Sequence, residues 1–313
     1  MTRPLRDEER AFIAEAAAYL ERPSFALRAQ RLLGRPVELL LSRLPAAAGR
    51  TLDRASEAAL RRALDVALTG LPRQRGAAAE DHSELQALIA NSYHAGNQRI
   101  AAAGASGFVG GLLGGLTLAA ELSATTILML RSIADIAAHL GADLDDPRER
   151  LECVAVFALG AGPPPTRLGG SGLHQGPPIS SAGVADAPPH AQTAYYATRW
   201  GLQRATLDLG RMAAQLSADD LARALLRSKS PALAELLGKI AGRYGTVVSQ
   251  KSALQVLPIL GAATAAAINV AFLDHHHRVA RYHFGLRWLE RRCGADAVRL
   301  EFEGAALLLP AES

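Results

Sequence analysis

The densest cluster of side chains able to hold a metal or move a proton is Asp274-His275-His276-His277, followed by His283. Imidazole and carboxylate are ordinary ligands of a divalent ion. Adjacent helical residues point in different directions, however, so three consecutive histidines cannot converge on one ion from a regular helix. Asp274 and His277 share a face at three-residue spacing, whereas His276 and His283 stand about 10.5 Å apart along the axis, too far for one tetrahedral ion. The metal candidates are therefore Asp274, His277 and His283, with His82 or His94 able to join only through the fold. The plainer reading is a polar helix emerging from an apolar segment, and no resident metal or cofactor is expected.

Glu121 is the candidate acid or base, because it stands alone among apolar residues for many positions on both sides. An isolated buried carboxylate must be protonated, paired or placed beside water. A structural pairing is the simpler expectation: Arg131, Arg199, Arg243 and Lys251 flank the apolar regions and can reach it in a folded bundle. Asn269 meets the same predicament in a second apolar run and is expected to hydrogen-bond across helices. Nucleophile signatures are poor. Ser106 does not complete a Gly-x-Ser-x-Gly elbow, and Cys153, between apolar neighbours, reads as a buried inert thiol. The glycines from Gly104 to Gly111 lack the lysine of a phosphate-binding loop and follow a helical pattern, not a strand.

The elements that would position these groups are helical. Asp7 to Leu20 carries Phe12, Ile13, Ala16 and Leu20 on one stripe, and Leu52, Ala59, Leu60, Ala63, Leu64 and Leu68 form another that ends at Gly70. From Ile100 to Leu130 the only charge is Glu121; one straight helix there would measure about 46 Å, longer than a bilayer's hydrocarbon core, so a break is expected. Gly107, Gly110, Gly111, Gly114 and Gly115 stand at small-xxx-small spacing that lets a second helix approach closely. A second uncharged run, Ser252 to Leu273, is interrupted by Pro258 and Gly261. The two runs are expected to pack together as Gly/Ala-rich helical hairpins at the bundle's centre, where Gly111→Leu or Gly114→Leu would overpack the contact. Ser123 to Leu140, Pro147 to Leu159, a segment from Thr193 through Met212 and another from Pro231 complete the helices, while Gly162 to Pro189 reads as a Pro/Gly-rich insertion. Near the end, Val298, Leu300 and Phe302 alternate with charged residues, the pattern of a short β-hairpin.

Without βα alternation, the expected class is an all-α multi-helix bundle. A net charge of +4, spread along the chain, and 5% aromatic residues give no call for nucleic acid. Cys153 and Cys293 cannot build a disulfide framework, and the opening Met-Thr-Arg-Pro-Leu-Arg lacks the apolar core of an export signal.

The glycine-rich run from Gly104, continued by Leu128-Met129-Leu130-Arg131-Ser132-Ile133-Ala134-Asp135-Ile136-Ala137, Gly141 and Glu149-Arg150, resembles the EcsC family. Tyr196-Ala197-Thr198-Arg199, Pro258-Ile259-Leu260-Gly261, Ile268-Asn269 and Ala280 to Trp288 continue that resemblance over roughly residues 85 to 293. It suggests a division into an N-terminal helical region (1–80), an EcsC-like helical domain (81–293, insertion 162–190) and a tail (294–313). The founding member is encoded beside ABC-transporter components, and no catalytic residue set is established for the family. The resemblance therefore implies a bacterial accessory or regulatory protein, cytoplasmic at the inner face of the cell membrane, whose partner is the membrane or a membrane-protein complex. The competing reading is a metal-assisted hydrolase using Glu121 with Asp274, His277 and His283.

Overall fold

A computed structural model describes residues 3–21, 25, 46–71, 85–90, 118–161, 193–213, 231–255 and 262–310; of 46–50, 118–121, 204–213, 231–234, 253–255 and 262–266 it describes the backbone only. Eight principal helices run through these residues: α1 (Asp7–Leu20), α2 (Ala46–Asp65, extended by one π-helical turn, Val66–Gly70), α3 (Leu118–His139), α4 (Pro147–Leu159), α5 (Ala194–Ala213), α6 (Pro231–Gln255), α7 (Ala262–Cys293) and α8 (Ala295–Leu307). The chain is all-α, as expected, and among the described residues there is no strand.

The centre is α4. Asp146 caps it by accepting a hydrogen bond from the Arg148 amide at 2.8 Å, Pro147 opens the first turn, and Glu149 faces the positive end of the helix dipole. Every residue from Arg150 to Leu159 is buried, which a helix can sustain only when neighbours cover all its sides. Those neighbours are α3, α5, α6, α7 and the π-helical turn. The turn has a visible reason to be irregular: buried Arg150 donates from Nη1 to the Leu68 carbonyl at 2.9 Å, satisfying a group at the distorted end of α2.

α1 lies along α7 and α8, and α2 packs against α3 and α6, so one apolar core runs from Phe12 through Leu60, Met129 and Phe157 to Phe302. The stripes at 12, 13, 16 and 20 and at 52, 59, 60, 63, 64 and 68 are buried as their spacing predicts. α3 stops at Gly141, whose φ of 79° is cheap only for glycine; the Ala142 amide reaches back to the Ala137 carbonyl at 2.9 Å and ties off the helix end. α3 and α7 pack against each other; of the second apolar run, residues 252–255 lie in α6 and 262–273 in α7. The close-packing glycines Gly107, Gly110, Gly111, Gly114, Gly115 and Gly261, and the insertion 162–190, lie outside the described residues.

Two expectations need correction. The C-terminal hairpin is absent: residues 295–307 are helix α8, and Val298 and Phe302 are buried while Leu300 is 64% exposed. Alternation over six residues fitted period two, but the burial follows the four-residue step of a helix. The histidine segment is likewise not an emerging polar helix. His275, His276, His277 and His283 are fully buried along α7.

Candidate functional site

α7 presents His283, Arg287 and Glu290 at steps of four and three, one face of a helix, toward α4 and α5. From α4, Glu149 and Glu152 meet this face; from α5, Tyr195, Tyr196 and Arg199 do. His283 is the hub. The Tyr195 hydroxyl donates to its Nδ1 at 2.9 Å, and its Nε2–H donates to Glu152 Oε2 at 3.2 Å. This direction follows from the chemistry: ionised Glu152 can only accept, so the neutral imidazole carries its proton on Nε2 and leaves Nδ1 to receive the tyrosine proton.

Charge keeps the relay in that state. Burial pushes the His283 pKa down to about 4, with Glu152 pulling the other way and Arg199 and Arg287 reinforcing burial. Burial by itself would raise Glu152, but the His283 hydrogen bond and the nearby Arg287 and Arg199 charges outweigh it and hold the carboxyl at about 2. Tyr195 is driven well above its ordinary value by burial. At neutral pH the unit is therefore a carboxylate, a neutral imidazole and a neutral phenol.

Two bidentate ion pairs close over it. Arg199 grips Glu290 with two hydrogen bonds of 2.6 Å, and Arg287 grips Glu149 with two of 2.7 Å. The Tyr196 hydroxyl adds a bond to Glu290 at 3.3 Å. Three helices distant in sequence are thus fastened by one polar cluster, in which each charge has an opposite neighbour.

Two turns earlier, α7 repeats the pattern. The Tyr19 hydroxyl lies 3.2 Å from His275 Nδ1, and His275 Nε2–H donates to the Gly160 carbonyl at 2.8 Å, joining α1, α7 and the end of α4. Glu21 then caps α5, accepting from the Ala194 and Tyr195 amides at 2.9 Å each. His276 differs from both. Its Nδ1–H donates to the Phe272 carbonyl within α7, while Nε2 has no hydrogen-bond partner among Phe157, Tyr244 and Phe272, and burial lowers its pKa to about 4.

The sequence-derived candidates are dispersed. Asp274 binds Arg278 at 2.9 Å and lies 4.0 Å from Arg281; His283 belongs to the relay; His277 is buried elsewhere on α7. Among the described residues, no three His, Cys, Asp or Glu side chains come together to hold a metal. Glu121 lies in α3 with its side chain outside the described residues. Of the partners expected for it, Arg131 is exposed, Arg199 is held by Glu290, Arg243 donates to the Ala158 carbonyl at 2.8 Å, and Lys251 lies over the Phe272 ring. Asn269 is buried.

Sequence reasoning missed Tyr195, Glu152, Glu290 and Arg287 as a set. A signal existed in the polar stripe 283, 287, 290 on a helix otherwise rich in apolar and aromatic residues, and in Glu152 within an apolar run. Chemically, the cluster can hold protons in fixed places and fasten helices. Tyr195 and His283 are buried, at 2% and 0% exposure, and each ring nitrogen of His283 is already engaged, so the relay is closed in the conformation described.

No helix among the described residues is long and apolar enough to cross a membrane. Comparison with curated proteins and with solved structures finds no match. The model of the EcsC protein family matches residues 19–289, a span that takes in α2 to α6, the end of α1 and nearly all of α7, and begins well before the motifs that first suggested the likeness. The chain belongs to the EcsC protein family.

Proposed function

We propose that this protein is a membrane-associated helical accessory or regulatory protein, acting through its surfaces and its partners. The observation that carries the reading is the closed state of the buried cluster: its acids, bases and phenol are engaged with one another, as befits a device that fixes helices in register. Support for a membrane complex as partner comes from the family resemblance alone, since the founding member of the EcsC family is encoded beside ABC-transporter components. Attachment in this reading is peripheral, because alanine and glycine give the apolar runs little drive to insert. Cell fractionation followed by salt and alkaline washes tests it. The protein is expected to sediment with membranes and to be released by alkali. Complete recovery in the soluble fraction without washing would refute membrane association, and retention after alkali would refute peripheral attachment.

A further inference from the structure

We infer that α8 is a docking helix for a partner protein that presents an amphipathic helix with lysine or arginine beside its apolar seam. The inference rests on the reading of the chain as an accessory protein that works through its surfaces, and it names the chemistry of one partner.

The inner face of α8 is used: Val298 and Phe302 join the core, and Phe302 packs on Tyr195 and Tyr196. The outer face is apolar as well. Ala297, Leu300, Gly304 and Leu307 follow the three-four-three spacing of a heptad seam, with Leu308 beside it. Leu300 is 64% exposed, Leu307 80% and Leu308 86%; a Cβ built on Gly304 would meet nothing within 4 Å. With Val270 at 38%, these leucines are the exposed large hydrophobic side chains among the described residues, so the exposure is concentrated on one stripe of one helix. The seam lies beyond the residues matched by the family model.

Charge selects the occupant. If Ala297 and Gly304 take the first seam position and Leu300 and Leu307 the second, then Asp296 flanks the seam on one side and Glu301 on the other, while Glu303, only 8% exposed, is buried with the inner face. A second copy docked parallel would set Asp296 opposite Glu301 of that copy. Docked antiparallel, it would set the two Glu301 residues opposite each other. Both arrangements bring acid against acid. An anionic bilayer meets the same flanking acids. Asp296 touches Arg299 and Glu301 touches Arg10, yet the Asp296 side chain stays 89% exposed and open to a further cation. A helix with basic flanks and a leucine-type seam complements both features.

The test uses the full chain and two synthetic helical peptides of about three heptads, identical in a leucine/isoleucine seam, one with lysine and one with glutamate at the flanking positions. Fluorescence anisotropy is expected to show the lysine peptide binding at least about tenfold more tightly than the glutamate peptide. Leu300→Glu with Leu307→Glu should weaken the lysine peptide by a similar factor although it adds negative charge, which separates seam docking from plain electrostatic attraction. Asp296→Lys should narrow the gap between peptides, with circular dichroism reporting that each variant keeps its helix content. Equal binding of both peptides, tighter lysine-peptide binding by the double glutamate variant, leucine-dependent self-association in sedimentation, or leucine-dependent binding to vesicles of phosphatidylcholine and phosphatidylglycerol would each overturn the proposal. A protein that fails to sediment with membranes but discriminates the peptides would refute the membrane reading and leave the docking helix standing.

Discussion

Removing Glu290 isolates one of the most deeply placed cations in the molecule. Arg199 and Glu290 have side chains only 9% and 12% exposed and share two hydrogen bonds of 2.6 Å. Breaking a buried pair from one side leaves the remaining charge desolvated, a loss of about 3–5 kcal/mol. Here Glu152 still contributes an attractive charge near Arg199, which favours the lower part of that range, while the Tyr196 hydroxyl loses its acceptor and pulls the other way. Glu290→Ala should therefore lower the unfolding free energy by about 3–5 kcal/mol. The double variant Arg199→Met/Glu290→Leu, which removes both charges and keeps volume, should recover most of that loss. The exposed pair Arg61–Glu57, with side chains 63% and 49% exposed, supplies a control: Glu57→Ala should change stability by no more than about 0.5 kcal/mol. Urea unfolding at neutral pH, with slopes compared among variants, is the assay. A loss below about 1 kcal/mol in Glu290→Ala, or a double variant as unstable as the single one, would refute the reasoning that the pair is a desolvated clamp.

Acid should destabilise the fold earlier than carboxylate titration alone would. His276 and His283 are held at about 4 in the folded chain, so below the ordinary value of about 6.5 the unfolded chain binds more protons. Stability from these two groups is present above pH 6.5 and is lost as pH falls toward 4, with a slope of up to about 2.7 kcal/mol per pH unit from the pair; Glu152, held at about 2, adds a further loss below its unfolded value of about 4.5. Denaturant titrations across that range check the slope, and a flat profile from pH 6.5 to 5 would contradict it. Gly160→Ala should cost about 1–3 kcal/mol, because its new Cβ would stand 2.7 Å from His275 Nε2 and 2.9 Å from Val279 Cγ2; thermal melts at matched concentration measure this. Asp146→Ala should cost about 1 kcal/mol through loss of the α4 cap, again read from urea unfolding.

Much of the fold was legible where local chemistry decides it. Asp7 to Leu20 and Pro147 to Leu159 were readable to the residue, because acidic first turns, a cap and a proline mark their ends. The C-terminal segment misled because Val298, Leu300 and Phe302 satisfy strand alternation over a stretch too short to display the helical period. The candidate site was harder for a different reason. A histidine's character depends on partners the chain delivers from far away: His283 meets Glu152 across 131 positions and Tyr195 across 88. Read alone, three consecutive histidines look solvated. Once His275, His276 and His283 find a carbonyl, phenol or carboxylate inside, the ring becomes a compact polar group that a buried helix can accommodate. The Tyr–His–acceptor unit repeated at His275 and His283 is visible only when those distant partners are in place.

The account turns on His276 and His283 of α7 being neutral interior groups, neither metal ligands nor titrating bases at physiological pH. Histidine-resolved nitrogen and carbon NMR of the folded protein from about pH 8 to 5 tests it most directly, with zinc added at the end of the series. His283 is expected to remain neutral with its proton on Nε2, His276 to remain neutral with its proton on Nδ1, and neither to respond to zinc. Titration of either residue near its ordinary value of about 6.5, the opposite tautomer at His283, or a stoichiometric zinc shift at His283 would contradict the account.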